Sequence, residues 1–441
     1  MIFRYLIATL IFSTPLIAGP AGYNYDESKV PEYTLPDPLV MENGKKVEIA
    51  AAWKVRRDEI LGLFEEHVYG KAPIGRPEKL RFVEGEKFDD FLGGKATLQH
   101  VRILLFGDEN GPHLDLLVIA PKNVPEGGVP AFVALNFSGN HSVHSDKRIP
   151  IPDSWMRSSS DDKKAGYVKD NRAQEAGRGF KKNRWAVEKI IDSGMALATF
   201  YYGDVDPDFD DNFENGIHAV TGKPAAGEWG SIGSWAWGCS RALDYLETND
   251  SVDAKKAAVF GHSRLGKTSL WAGATDQRFA LSISNNSGCG GAALSRRHFG
   301  ETVERINTSF PHWFCDNFVK YNENEGELPV DQHQLISLIA PRPVYIASAE
   351  GDEWADPKGE FLSALHADPV YRLTGTEGLA GAKEHPAVNT PVGGVIRYHV
   401  RTGKHDVTDY DWEQYIKAMK DLVVNKKDEI RAPGEAPTIL R

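Results

Sequence analysis

The chain has 441 residues, of which 41% are hydrophobic and 26% charged, with ten tryptophans; that composition excludes a disordered polymer and can bury a large core. Its formal net charge of −11 leaves no basic excess to displace counterions from phosphates, which excludes a general nucleic-acid binder. Length alone leaves the number of folding units open. In chain order, Arg4, an apolar stretch from Leu6 to Ala18 and small residues up to Gly22 have the layout of a secretory signal peptide, residues 1–21. The stretch is broken by Ser13 and Pro15 and is shorter than the roughly 20 residues that span a bilayer. A secreted or periplasmic protein, free of the membrane once the signal is removed, is expected.

"AAWKVRRDEILGLFEEHVYG", Ala51 to Gly70, has apolar residues at helical spacing and ends on glycine. "TLQHVRILLFG", "HLDLLVIAPK" and "PAFVALNF" follow as strands, the first alternating like an edge strand and the last continuously apolar like a buried one. From there helix and strand alternate. Trp185–Ser193, Ile232–Glu247 and Leu265–Ala274 are read as helices, with strands at Met195–Tyr202, Ala257–Gly261, Phe279–Ser284 and Pro343–Ala349. A helix after Pro357, a strand at Val395–Val400 and a helix at Tyr410–Val424 complete the pattern. Such an order implies a mainly parallel sheet covered on both faces.

Two stretches stand outside the alternation. An insertion at about 141–187 holds, over 146–184, eleven Lys/Arg against six Asp/Glu, and reads either as a solvated loop or as a lip that attracts an acidic substrate. Residues 204–229, rich in Asp, Gly and Pro, form a second long loop. The three cysteines, Cys239, Cys289 and Cys315, cannot all pair; one disulfide is allowed after export, and the spacing does not select it.

"VFGHSRLGK", Val259 to Lys267, places Ser263 where a strand turns into a helix, at the sheet edge that binds ligands. The serine-hydrolase turn is G-x-S-x-G; here the second glycine, Gly266, comes one residue late, and Arg264 and Lys267 are added. A serine nucleophile needs an imidazole base held by a carboxylate, in the chain order Ser, acid, His for this type of fold. His405 lies between the last strand and last helix. Glu350, Asp352, Glu353 and Asp356 follow the preceding strand, and residue chemistry alone does not choose among them. Backbone amides of Ser138 or Gly139, after the strand ending at Leu135, stand where the second oxyanion donor belongs. His141 and His144 lack a third ligand at suitable spacing, so no metal site is read there, and no cofactor is expected.

The turn "GHSRLGK" closely resembles the G-C-S-R-x-G-K turn of the glucuronoyl esterases, carbohydrate esterase family 15. "NNSGCGGAALSRRHFGETVERI", "FPHWF" and "LIAPRPVYIASAEGDEWADPKGEF" resemble the bacterial branch of that family, and the similarity runs from about Asn136 to Trp412. The resemblance implies an α/β-hydrolase fold, a three-layer sandwich, with residues 22–441 forming a single catalytic domain. It implies cleavage of the ester between 4-O-methyl-glucuronic acid on xylan and lignin alcohols; a monomer is expected, though the sequence does not reveal the oligomeric state. It makes Ser263 the nucleophile, His405 the base, Arg264 the oxyanion stabiliser, and Lys267, Glu301 and Trp354 the sugar-binding residues. His262 replaces a cysteine common in the family turn. Asn286 replaces the carboxylate of fungal members, so Asp352, which matches the alternative acid of bacterial relatives, is taken as the triad acid. Two rivals remain: an acetyl-xylan or other carbohydrate esterase on the same frame, and a non-catalytic glycan-binding relative.

Overall fold

The computed structural model describes residues 19–425; the stretch read as a signal peptide lies, up to residue 18, outside them. Twelve strands are found among the described residues: β1 Arg81–Asp90, β2 Ala96–Leu104, β3 His113–Pro121, β4 Val129–Asn136, β5 Val168–Lys169, β6 Arg172–Ala173, β7 Ala196–Tyr201, β8 Val252–His262, β9 Leu281–Asn285, β10 Val344–Ala349, β11 Val392–Gly393 and β12 Ile396–Arg401. All but the β5–β6 hairpin belong to one ten-stranded sheet in the order β1-β2-β3-β7-β4-β8-β9-β10-β12-β11. Pairing is antiparallel from β1 through β3 to β7 and parallel from β7 across to β12, with β11 an antiparallel edge. This is the α/β-hydrolase architecture, a mainly parallel sheet between helical layers.

Period-two alternation builds the core on both faces. On β4 the side chains of Ala131, Val133 and Leu135 join one buried cluster, and Phe132 and Ala134 the other; on β8 Ala257 and Val259 oppose Ala258 and Phe260 in the same way. The continuous apolar runs read from the sequence are these doubly buried strands. β1 escaped that reading because "RFVEGEKFDD" is charged and mostly exposed; it guards the sheet edge against further pairing and bulges between Glu84 and Lys87.

The insertion is not a bare solvated loop. It contains a capped helix, Ser160–Lys164, and the β5–β6 hairpin, and it is pinned to the body by Tyr201 donating to the Trp155 carbonyl and Trp412 to that of Arg184. Part of its positive charge is paired: Arg148 with Asp146 and Asp90, Arg178 with Glu175 and Arg184 with Asp406. The three cysteines are buried and free. No helix among the described residues is long and apolar enough to cross a membrane.

Candidate active site

The central parallel strands deliver their carboxyl ends to one rim, and Ser263 stands there between β8 and the helix Arg264–Thr275. Its backbone, φ 58° and ψ −128°, lies outside the regions favoured by L-residues; the strain thrusts the hydroxyl out of the turn. The two glycines explain the odd spacing. A Cβ at Gly261 would fall 1.8 Å from the Leu265 carbonyl oxygen, so the turn closes only over a bare backbone. At Gly266 a Cβ would lie 3.0 Å from Ser287 Cβ and 3.1 Å from Ser284 Oγ. The late glycine thus marks where the helix presses against the end of β9 and the loop behind it. Gly261→Ala should therefore melt well below the wild type, because backbone has to move. Gly62→Ala, at an exposed helix position with nothing within 4 Å, should be more stable by about 0.5–1 kcal/mol; thermal unfolding of the pair checks the contrast.

An open cleft of about 350 Å³ brings together Ser263, Arg264, Lys267, Glu301, Asp352, Trp354 and His405. His405 Nδ1 is 2.7 Å from Asp352 Oδ2. A carboxylate only accepts, so Nδ1 carries the hydrogen and Nε2 keeps its lone pair for a proton. The same oxygen accepts from Asn286 Nδ2 at 2.8 Å. Where fungal relatives are read to carry the acid, this chain uses an amide to hold a different one, since two carboxylates at that distance would repel. Asn286 thus contributes to an assembled acid–base pair.

Asp356 is committed elsewhere, to Arg297 Nε at 2.8 Å and to capping the helix Pro357–Leu373 through the Gly359 amide. Glu350 is exposed, and neither it nor Glu353 lines the cleft. His262 is buried beside His405, ring centroids 4.5 Å apart, with Nδ1 donating to Asn285 Oδ1 at 2.6 Å. Burial first, then the neighbouring His405, pushes its pKa well below the usual histidine value, so a neutral ring faces the base.

The sugar-side residues are placed less simply than read. Lys267 lines the cleft but is 3% exposed, and its ammonium already donates to the carbonyls of Ser287 and Cys289 at 2.6 and 2.7 Å and sits 3.5 Å from Glu301 Oε2. A sugar hydroxyl would share that ammonium with Glu301. Trp354 is half-buried, braced edge-on by Tyr23 with centroids 4.9 Å apart, and its carbonyl accepts from the Glu301 amide. Ser138 and Gly139 are not among the residues that line the cleft. Their loop is drawn under the insertion, where a Cβ on Gly139 would meet Pro152 at 2.7 Å, and Ser138 borders a hollow of about 20 Å³ behind His262. His141 is buried, its pKa pushed down to about 4 by burial and then by Arg178, and His144 Nδ1 accepts from the Asp146 amide.

Sequence reasoning missed two carboxylates. Glu360, buried and pushed up to about 7 chiefly by that burial, accepts from the amides of Ser287 and Gly288 and so fixes the turn that carries Asn286. Asp208, from the second long loop, accepts from Arg264 Nη1 at 2.8 Å. A cation held partly buried beside Ser263 calls for a counter-charge, yet nothing in "DVDPDFDD" tells which aspartate supplies it.

A strained turn carrying Ser263 after β8 of a mainly parallel sheet, with a carboxylate–imidazole pair on the loops after β10 and β12, places the chain among the α/β-hydrolases. Comparison with known proteins narrows the class. The family model for "Glucuronyl esterase, fungi" matches residues 182–375. Carbohydrate esterase MZ0003, from an unknown prokaryotic organism, is 54% identical over 422 residues, covering 93% of this chain and 95% of the relative. Among solved structures, a promiscuous family 15 esterase from a marine bacterial metagenome superposes with a TM-score of 0.83 at 54% identity, covering 90% of this chain and 99% of the other. The glucuronoyl esterase of Solibacter usitatus does so with a TM-score of 0.83 at 46% identity, covering 89% and 99%. The chain belongs to carbohydrate esterase family 15, the glucuronoyl esterases.

Proposed function

We propose that this enzyme hydrolyses the ester joining (4-O-methyl-)glucuronic acid of glucuronoxylan to lignin alcohols, by acyl transfer through Ser263, His405 and Asp352. The observation that carries the reading is the 2.7 Å contact between His405 Nδ1 and Asp352 at the rim of the cleft that holds Ser263 on its strained turn. Ser263 Oγ attacks the uronyl carbonyl while His405 Nε2 takes its proton. The tetrahedral oxyanion is met by Arg264 and by the backbone N–H groups at the start of its helix. The C–O bond to the alcohol breaks and the alcohol leaves with the proton from His405. Water then attacks the acyl-enzyme, giving a proton to His405; the bond between the acyl carbon and Ser263 Oγ breaks as His405 returns that proton to Oγ, and free glucuronate departs.

An ester of a uronic acid carries no charge at the reacting carbon, so Arg264 is not spent on a ground-state carboxylate and can serve the transition state. Lys267, Glu301 and Trp354 offer donor, acceptor and ring face to the sugar. The apolar Leu6 to Ala18 stretch after Arg4 supports export, and nothing in the reaction calls for a cofactor.

The discriminating experiment compares a benzyl glucuronate ester with an acetylated xylose. The glucuronate ester should be the better substrate, and Lys267→Ala should lower kcat/KM on it by at least about tenfold while leaving the acetyl ester nearly untouched. Preference for the acetyl ester, with Lys267→Ala affecting both alike, would make the enzyme an acetyl-sugar esterase instead.

A further inference from the structure

The Arg264 guanidinium is divided between two tasks. Nη1 donates to Asp208 Oδ2 at 2.8 Å and reaches the Tyr202 hydroxyl at 3.4 Å. Nε is buried with no acceptor in the protein among the described residues. The group is boxed by aromatic rings, with Trp313 4.9 Å, Phe137 5.3 Å and Phe310 5.9 Å from its centre. A free arginine side chain sweeps many rotamers; this one has a single place to lie.

Asp208 is itself immobile. It is fully buried, and besides Arg264 it accepts from the Tyr202 hydroxyl at 2.7 Å, His312 Nε2 at 2.9 Å and the Trp313 indole at 2.8 Å. Burial pushes its pKa up, but the Arg264 charge, the His312 hydrogen bond and the Arg157 charge outweigh that and hold it below the usual carboxylate range. Arg157 comes from the insertion: its Nη1 lies 3.3 Å from Asp208 Oδ1 and 3.2 Å from the Asp208 carbonyl, and its guanidinium stacks on Phe310 at 5.2 Å. Two guanidinium ions on one carboxylate leave that cluster of three groups with a net positive charge. An Asp208–Arg264 pair alone would be neutral and a poorer partner for an oxyanion.

We propose that Asp208 is a positioning residue of the esterase reaction: it fixes Arg264 so that its remaining N–H groups meet the oxyanion, while Arg157 ties the insertion to that orientation. The inference rests on the reading of Arg264 as an oxyanion donor, because preorganised donors are what lower such a barrier. The Asp208–Arg264 contact is absent from the sequence pattern that identified the nucleophile, and it gives the second long loop a task.

The test is a double-mutant cycle on benzyl glucuronate. Asp208→Asn keeps the volume and the oxygen used by His312 and Trp313, but turns an amide against Arg264 and Tyr202. Its kcat should fall by about 10²-fold, with KM within roughly threefold of the wild type. Asp208→Asn combined with Arg264→Ala should be no slower than Arg264→Ala alone, within about twofold. Arg157→Gln, on the half-exposed side, should cost up to about fivefold in kcat and nothing in the Arg264→Ala background; it also serves should Asp208→Asn fail to fold. Additive losses in the double variants, or a change confined to KM, would overturn the proposal by showing that Asp208 acts on the fold or on ground-state binding. Arg264→Ala at the wild-type rate would instead remove the oxyanion reading and this inference with it.

Discussion

Ser263→Ala should lower kcat on a benzyl glucuronate ester by on the order of 10⁶-fold while the protein folds and melts close to the wild type. The turn is held by groups the substitution leaves alone: the Ser263 amide donates to Asn285 at 2.8 Å, and its carbonyl accepts from the Gly266 amide at 2.8 Å. Alanine occupies φ 58° and ψ −128° no more comfortably than serine, so the strain is kept and only the nucleophile is lost. Ser263→Gly separates the two effects. It should be equally inactive but more stable than Ser263→Ala, because glycine relieves a backbone cost of order 1–3 kcal/mol. A fluorophosphonate probe should label the wild type and neither variant, since only a serine activated by a base reacts quickly. Wild-type turnover by Ser263→Ala would end the assignment.

The parts of this molecule legible in its sequence are those where one residue type answers one local demand. The β8 turn could be read because glycines must flank a strained serine there. The doubly buried strands announce themselves as apolar runs, since both faces of a parallel strand meet hydrophobic layers. The late Gly266 could be seen but not explained: its reason, the approach to Ser284 and Ser287, is tertiary. Asp208 and Glu360 were hidden for a related cause. A buried carboxylate is recognised by the donors that converge on it, and those come from Tyr202, Arg264, His312 and Trp313 in one case and from the 287–288 turn in the other. In the insertion, the partners of Arg148 and Arg184 could not be read either, because Asp90 and Asp406 are distant in sequence.

The choice of acid is the point where residue chemistry offered four carboxylates, and substitution should separate the two central ones by kind as well as by size. Asp352→Asn should reduce kcat by roughly 10⁴-fold. At that position two donors, His405 Nδ1–H at 2.7 Å and Asn286 Nδ2–H at 2.8 Å, converge on one oxygen. An asparagine can keep one oxygen between those donors but carries no charge, so the imidazolium formed when Ser263 gives up its proton loses its counter-ion. Asp356→Asn acts on a different structure. It breaks a buried pair with Arg297, whose side chain is 3% exposed, at the cap of the helix Pro357–Leu373, and leaves that guanidinium with Glu27 alone. Breaking such a pair costs about 3–5 kcal/mol of stability, so this variant should melt early yet turn over within a fewfold of the wild type at temperatures where it is folded. Measuring kcat and thermal midpoint for both variants side by side gives opposite signatures, one catalytic and one structural. A larger catalytic loss for Asp356→Asn would assign the triad acid to the helix cap and leave the His405–Asp352 contact without a role.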